Sequence, residues 1–234
     1  MTEYFDILNE FKGSGEPQGG VWFVGLEEAH KWDLSKENHI KMIKEYKEKN
    51  VCVDKNTIKN NAEKYGRKFT KIFDIMSKII VGIMQTEEDW KVYWKVYRNE
   101  TLLQKGSSVF QANLYPLGKN KLKEWPLNYK VWFGFEKAEK NKYVEYVRKT
   151  RFPMLKKYWE ECTPQLTVCF GEVGWSDFEC LFGLKKVEYK NHESFKLFLE
   201  KKIILTPFFY PPLMPDKKIE HLIDLIKKRI TETV

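Results

Sequence analysis

Val21-Trp22-Phe23-Val24-Gly25-Leu26-Glu27-Glu28-Ala29-His30 passes from four consecutive apolar residues into a glycine and then two carboxylates. An apolar run without alternation reads as a strand buried on both faces, and the glycine marks where it turns. Three further runs share this form: Ser108-Val109-Phe110-Gln111-Ala112-Asn113, Leu166-Thr167-Val168-Cys169-Phe170-Gly171 and Lys202-Ile203-Ile204-Leu205-Thr206-Pro207. Helix-compatible sequence lies between and after them. Asn61 to Met84 sets Tyr65, Phe69, Ile72, Phe73, Met76 and Ile80 near one helical face. Lys142 to Glu161 carries Tyr143, Val147 and Tyr158, with Pro153 marking a break or a new first turn. Asp216 to Ile230 is amphipathic through Ile219, Leu222, Ile223, Ile226 and Ile230 and is opened by an Asp cap. Asp33 to Asn60 is charged and lysine-rich and reads as surface. Strands alternating with helices predict an α/β fold: a three-layer α/β/α sandwich with a central, mainly parallel four-stranded sheet, in one domain over residues 1–234.

Composition narrows the function. With 234 residues the chain can bury a core without disulfide staples. Lys+Arg number 41 against 33 Asp+Glu, a net charge of +8, which favours a polyanionic partner; the 15% aromatic content adds rings that can stack on bases. No apolar stretch is long enough to span a bilayer, and the acidic, aromatic start Met1-Thr2-Glu3-Tyr4-Phe5-Asp6 is unlike a signal peptide. The expectation is a soluble cytoplasmic protein, monomeric and without membrane contact. Cys52, Cys162, Cys169 and Cys180 form no C-x-x-C pair, and with His30, His39, His192 and His221 they make no zinc spacing. No disulfide, no metal and no cofactor are expected.

Ligands of parallel sheets bind beyond the carboxyl ends of the strands. Those ends read Gly25-Leu26-Glu27-Glu28-Ala29-His30, Asn113-Leu114-Tyr115-Pro116-Leu117, Gly171-Glu172-Val173-Gly174-Trp175 and Thr206-Pro207-Phe208-Phe209-Tyr210-Pro211-Pro212. Their order is similar to that of the uracil-DNA glycosylase superfamily, nearest to its single-strand-selective type. Members open with a strand ending in G-Q-D-P-Y-H or G-x-N-P-G. Gly25 and His30 match, Glu27 falls where the water-activating Asp or Asn stands, and Glu28 replaces the proline. Asn113-Leu114-Tyr115-Pro116 resembles the turn whose Asn reads the base, and Phe170-Gly171 resembles the third strand end. The family's H-P-S after the fourth strand aligns with Thr206-Pro207-Phe208 or, slipped by four, with Tyr210-Pro211-Pro212; neither carries the histidine.

The resemblance implies a monofunctional DNA glycosylase that hydrolyses the N-glycosidic bond of an extruded base, in repair or in defence against phage DNA. The changed proline and histidine positions leave a modified or bulky base, rather than uracil, as one expected target. Glu27 is the expected water-activating carboxylate, with Glu28 as its alternative. Asn113 offers donor and acceptors to a base edge; otherwise it only forms its turn. Phe23, Trp32 and Tyr115 are expected either to stack on the base or to belong to the core, and His30 to hold a phosphate or the leaving group or to be structural. Thr206, Pro207 and the following apolar loop Phe208–Pro215 are expected to contact DNA, the loop through Tyr210 and with Leu213 and Met214 as a wedge, or else the loop packs under the last helix. Lys119, Lys121, Lys123 and Arg67 are candidate phosphate contacts or plain surface charges. Two other classes stay open: a catalytically silent DNA- or nucleotide-binding protein with this fold, and a small-molecule hydrolase on an unrelated α/β fold.

Overall fold

The computed structural model describes residues 2–18, 20–28, 31–48, 71–84, 90–119, 123–185, 189–192 and 194–231. In chain order the elements are α1 (Glu3–Glu10), β1 (Ser14–Gly15), β2 (Val21–Gly25), α2 (Glu37–Glu48), α3 (Lys71–Met84), α4 (Trp90–Glu100), β3 (Val109–Asn113) and α5 (Tyr129–Phe133). Then follow α6 (Lys140–Cys162), β4 (Leu166–Phe170), α7 (Trp175–Phe182), β5 (Tyr189–His192), β6 (Phe195–Phe198), β7 (Ile203–Thr206) and α8 (Asp216–Thr231). The part of the 61–84 helix before residue 71 lies outside the described residues, as do His30, Cys52, Arg67 and Lys121.

The strand order is β1-β3-β2-β4-β7-β6-β5. The four apolar runs are its centre, β3-β2-β4-β7, and all three pairings among them are parallel. The expected four-stranded sheet is thus the middle of a larger mixed one, extended by the antiparallel strands β1 on one edge and β6 and β5 on the other. The two edge strands were illegible because β1 is two residues long and β5, Tyr189-Lys190-Asn191-His192, is polar.

Alternation along the buried strands makes two cores. Trp22 and Val24 face one way, with Phe110, Ala112 and Cys169, into a layer built by α1, α2, α5, α6 and α7. Phe23 faces the other way, with Val109, Val168 and Ile204, onto α3, α4 and α8. Helices therefore cover both faces, which is why the runs needed no polar alternation. Pro153 does not break α6: it lies inside the helix, and both Pro153 and Lys149, whose carbonyl loses its helical donor, are solvent-exposed, so the loss costs little there. Asp216 is the first residue of α8 rather than its cap; its carboxylate pairs with Lys78 at 2.6 Å. Cys162, Cys169 and Cys180 are free thiols, and no described helix is long and apolar enough to cross a membrane.

Candidate active site at the carboxyl rim

Parallel register aligns the strand ends. Gly25 pairs with Asn113, Val24 with Cys169, and Phe170 with Thr206, so Asn113, Gly25, Phe170 and Thr206 form one row across the sheet. The chain beyond the row stays tied together. Leu114 N–H donates to Gly25 O (2.9 Å), Tyr115 N–H to Leu26 O (2.7 Å) and Lys119 N–H to Glu28 O (3.1 Å), so the first two rim segments run side by side. On the other flank Gly171 N–H and the Trp175 indole N–H both donate to Thr206 O, each at 3.1 Å.

Gly25 is required by this packing. A Cβ there would lie 2.7 Å from Asn113 Oδ1 and 2.7 Å from the Phe170 ring, so only glycine lets the Asn113 amide lie over the strand end. The Asn113 side chain is half-buried and makes no hydrogen bond with a described residue, so its donor and acceptor are unpaired among the described residues. Its backbone is held from behind. Arg151, buried within α6, donates Nε (3.1 Å) and Nη2 (2.9 Å) to Asn113 O and Nη1 to the carbonyls of Leu8 (3.3 Å) and Asn9. Burial pulls the Arg151 pKa down to about 10, so the guanidinium still carries its charge at neutral pH.

Glu27 lies in a closed ion pair. Lys119 Nζ is 2.7 Å from Oε2, and the two side chains are 6% and 7% exposed. The Trp125 ring lies 5.9 Å from the ammonium. Tyr129 donates to Gly118 O and accepts from Trp32 N–H (3.1 Å), and Tyr143 accepts from Leu117 N–H (3.1 Å), which stiffens the segment that carries Lys119. Burial pushes the Glu27 pKa up; the Lys119 hydrogen bond and charge, and the charge of Lys140, pull the other way without cancelling it. Oε1 is buried and accepts no hydrogen bond from a described residue. Glu28 accepts from the Tyr46 hydroxyl (3.4 Å).

Several expected contacts are core instead. Lys119 is the buried partner of Glu27, so its ammonium does not face a phosphate. Phe23 and Trp32 are fully buried, and Trp32 donates toward Pro116 O. Tyr115 packs on Tyr143 and Phe152, and its hydroxyl donates to Asp177 (2.9 Å), which Arg148 also binds. Burial, with Asp177 beside it, raises the Tyr115 pKa. None of these rings is open to a stacked base. Thr206 is buried with its hydroxyl near the carbonyls of Pro207 (3.0 Å) and Cys169 (3.3 Å), and Pro207 is buried beside it.

The loop after β7 divides in two. Phe209 stacks on Phe170 (4.5 Å between centroids, 11° between planes), whereas Tyr210 and Leu213 are 51% and 48% exposed. Met214 is buried with Ile219 and Leu222, so it cannot serve as a wedge. Accordingly Met214→Ala should lower stability by about 2–5 kcal/mol, as core truncations do. Leu213→Ala should stay within about 0.5 kcal/mol and, if Leu213 fills a vacated stack, cost activity on paired duplex but not on single strands. Paired melting curves and rates check this.

Sequence reasoning missed three features: the Lys119 partner of Glu27, the Arg151 clamp, and Val173, which stands 73% exposed between Gly171 and Gly174 on the rim turn. Only Val173 had a signal, an apolar residue in a glycine-bounded turn at a strand end. Lys123 is exposed, and among the described residues no cluster of His, Cys, Asp or Glu could hold a metal ion. No protein-family model matches the chain, and no curated protein matches it.

Proposed function

We propose that the protein is a DNA glycosylase of the uracil-DNA glycosylase type acting on a modified or bulky base. The observation that supports this reading is the juxtaposition on one rim of an open amide, Asn113, a carboxylate, Glu27, and an exposed apolar loop, Tyr210–Leu213. In the reaction the C1′–N bond breaks toward an oxocarbenium-like sugar, and its electron pair leaves with the base. Water adds to C1′ and its proton passes to Glu27. Asn113 binds the edge of the extruded base, and Leu213 offsets the lost stacking.

A second reading has its own observation. Glu27 is closed by Lys119, as in a protein that binds DNA through this fold without cutting the glycosidic bond. Abasic-site formation on a panel of single- and double-stranded DNAs carrying modified bases separates the two: strand breaks after alkali favour the enzyme, and binding without breaks favours the silent protein. Both require DNA affinity. With a net charge of +8, log K should fall with log salt by about 0.9 per phosphate neutralised on duplex. Binding that is flat from low to physiological salt would remove DNA as the partner.

A further inference from the structure

Residue 119 grips the first rim segment twice, by its backbone N–H on Glu28 O and by its ammonium on Glu27 Oε2. Burying two opposite charges costs desolvation that only good geometry repays, so a closed pair at a strand end is a costly way to join two loops. The charged and titratable groups around Glu27 are Lys119 from the segment after β3, Lys140 and Tyr143 from α6, Tyr129 from α5, and Glu28 next in sequence. Among the described residues, Lys119 is the one within hydrogen-bond distance of it. The remaining oxygen, Oε1, keeps an open valence in a buried position, a feature that costs stability and calls for a functional reason.

We propose that Lys119 is the positioning residue of this site: by binding Oε2 it fixes the Glu27 carboxylate in one orientation and favours its anion, leaving Oε1 as the oxygen that acts on the reacting water. The inference deepens the glycosylase reading and rests on it for its catalytic consequence. Without the ammonium, burial would favour the protonated acid, which cannot take a proton from water.

The test uses the full chain as wild type, Lys119→Met and Lys119→Arg. Carbon-13 NMR of labelled glutamate follows the Glu27 carboxyl, assigned by its loss in Glu27→Gln. Lys119→Met should raise the Glu27 midpoint by about one to three pH units, and Lys119→Arg should restore most of the shift. The acid limb of the rate of base release should move with it, so that kcat below the new midpoint falls tenfold per pH unit of displacement while KM for DNA holds. If Lys119→Met does not fold, Lys119→Gln keeps a donor, removes the charge and gives the same readout. An unmoved Glu27 midpoint in a folded variant overturns the proposal, as does a fixed acid limb beside a moved midpoint. If wild type releases no base from any DNA, the glycosylase reading fails separately, and the NMR titration still decides whether Lys119 sets the charge of Glu27.

Discussion

Glu27→Gln should slow base release by about 10²–10⁴-fold, the range for loss of a general base, with DNA affinity nearly unchanged. The substitution keeps the side-chain shape and removes the carboxylate proposed to accept the proton. It also leaves the Lys119 ammonium facing a neutral amide in a buried position, so the melting temperature must be measured beside the rate. The wild-type rate should depend on pH in a defined direction. Burial raises the Glu27 pKa above 4.5, so the anion proposed to take the proton is lost as pH falls through that raised value, and the acid limb should lie above the ordinary glutamate value. The same shift makes ionised Glu27 a stability cost: its contribution to folding is greatest below pH 4.5 and declines as pH rises through the raised pKa. Full activity in Glu27→Gln, with loss in Glu28→Gln, would assign the chemistry to the other carboxylate.

Arg151→Met should have the largest effect on stability, a loss of about 3–5 kcal/mol in urea denaturation, from three buried acceptors stripped of their donor less the relief of no longer burying the cation. The guanidinium joins three main-chain oxygens: Asn113 O at the end of β3, and Leu8 O and Asn9 O in the last turn of α1, where a helix has no donors of its own. Methionine fills most of the volume and serves none of them. Each buried carbonyl left without a donor costs about 1–3 kcal/mol, offset in part by relief from burying the cation. The Asn113 end of the rim should loosen as well, so discrimination among bases should weaken in the folded fraction. A loss under about 1 kcal/mol would mean that water replaces the guanidinium, as it can at partly open sites.

The centre of the fold was legible because its signal is local. Val21–Gly25, Val109–Asn113, Leu166–Phe170 and Ile203–Thr206 are each dense in apolar residues and stopped by glycine, asparagine or proline, and each is a parallel strand of the sheet centre. The edges were not, since a strand that pairs on one side can be as short as Ser14–Gly15 or as polar as Tyr189–His192. At the rim, sequence ranked Lys119 with the surface lysines because nothing local distinguishes it; its partner Glu27 is distant in sequence and meets it only through the parallel register of β2 and β3. Arg151 was hidden for the same reason, its partners lying at Leu8, Asn9 and Asn113. Leu213 and Met214 are adjacent and alike in hydrophobicity, yet the turn bonds from Leu213 N–H and Met214 N–H to Tyr210 O leave one outside and the other in the core. Hydropathy cannot separate such neighbours; the turn does.

The most direct measurement is the mass of DNA strands bearing single modified bases after incubation with the full chain, wild type and Glu27→Gln side by side. The expected product is lighter by one base and heavier by one water at the modified position, in wild type and not in the variant. Salt-dependent binding to every strand with no change of mass in any would contradict it, and would leave Asn113, Glu27 and the Tyr210–Leu213 loop as a DNA-binding surface without chemistry.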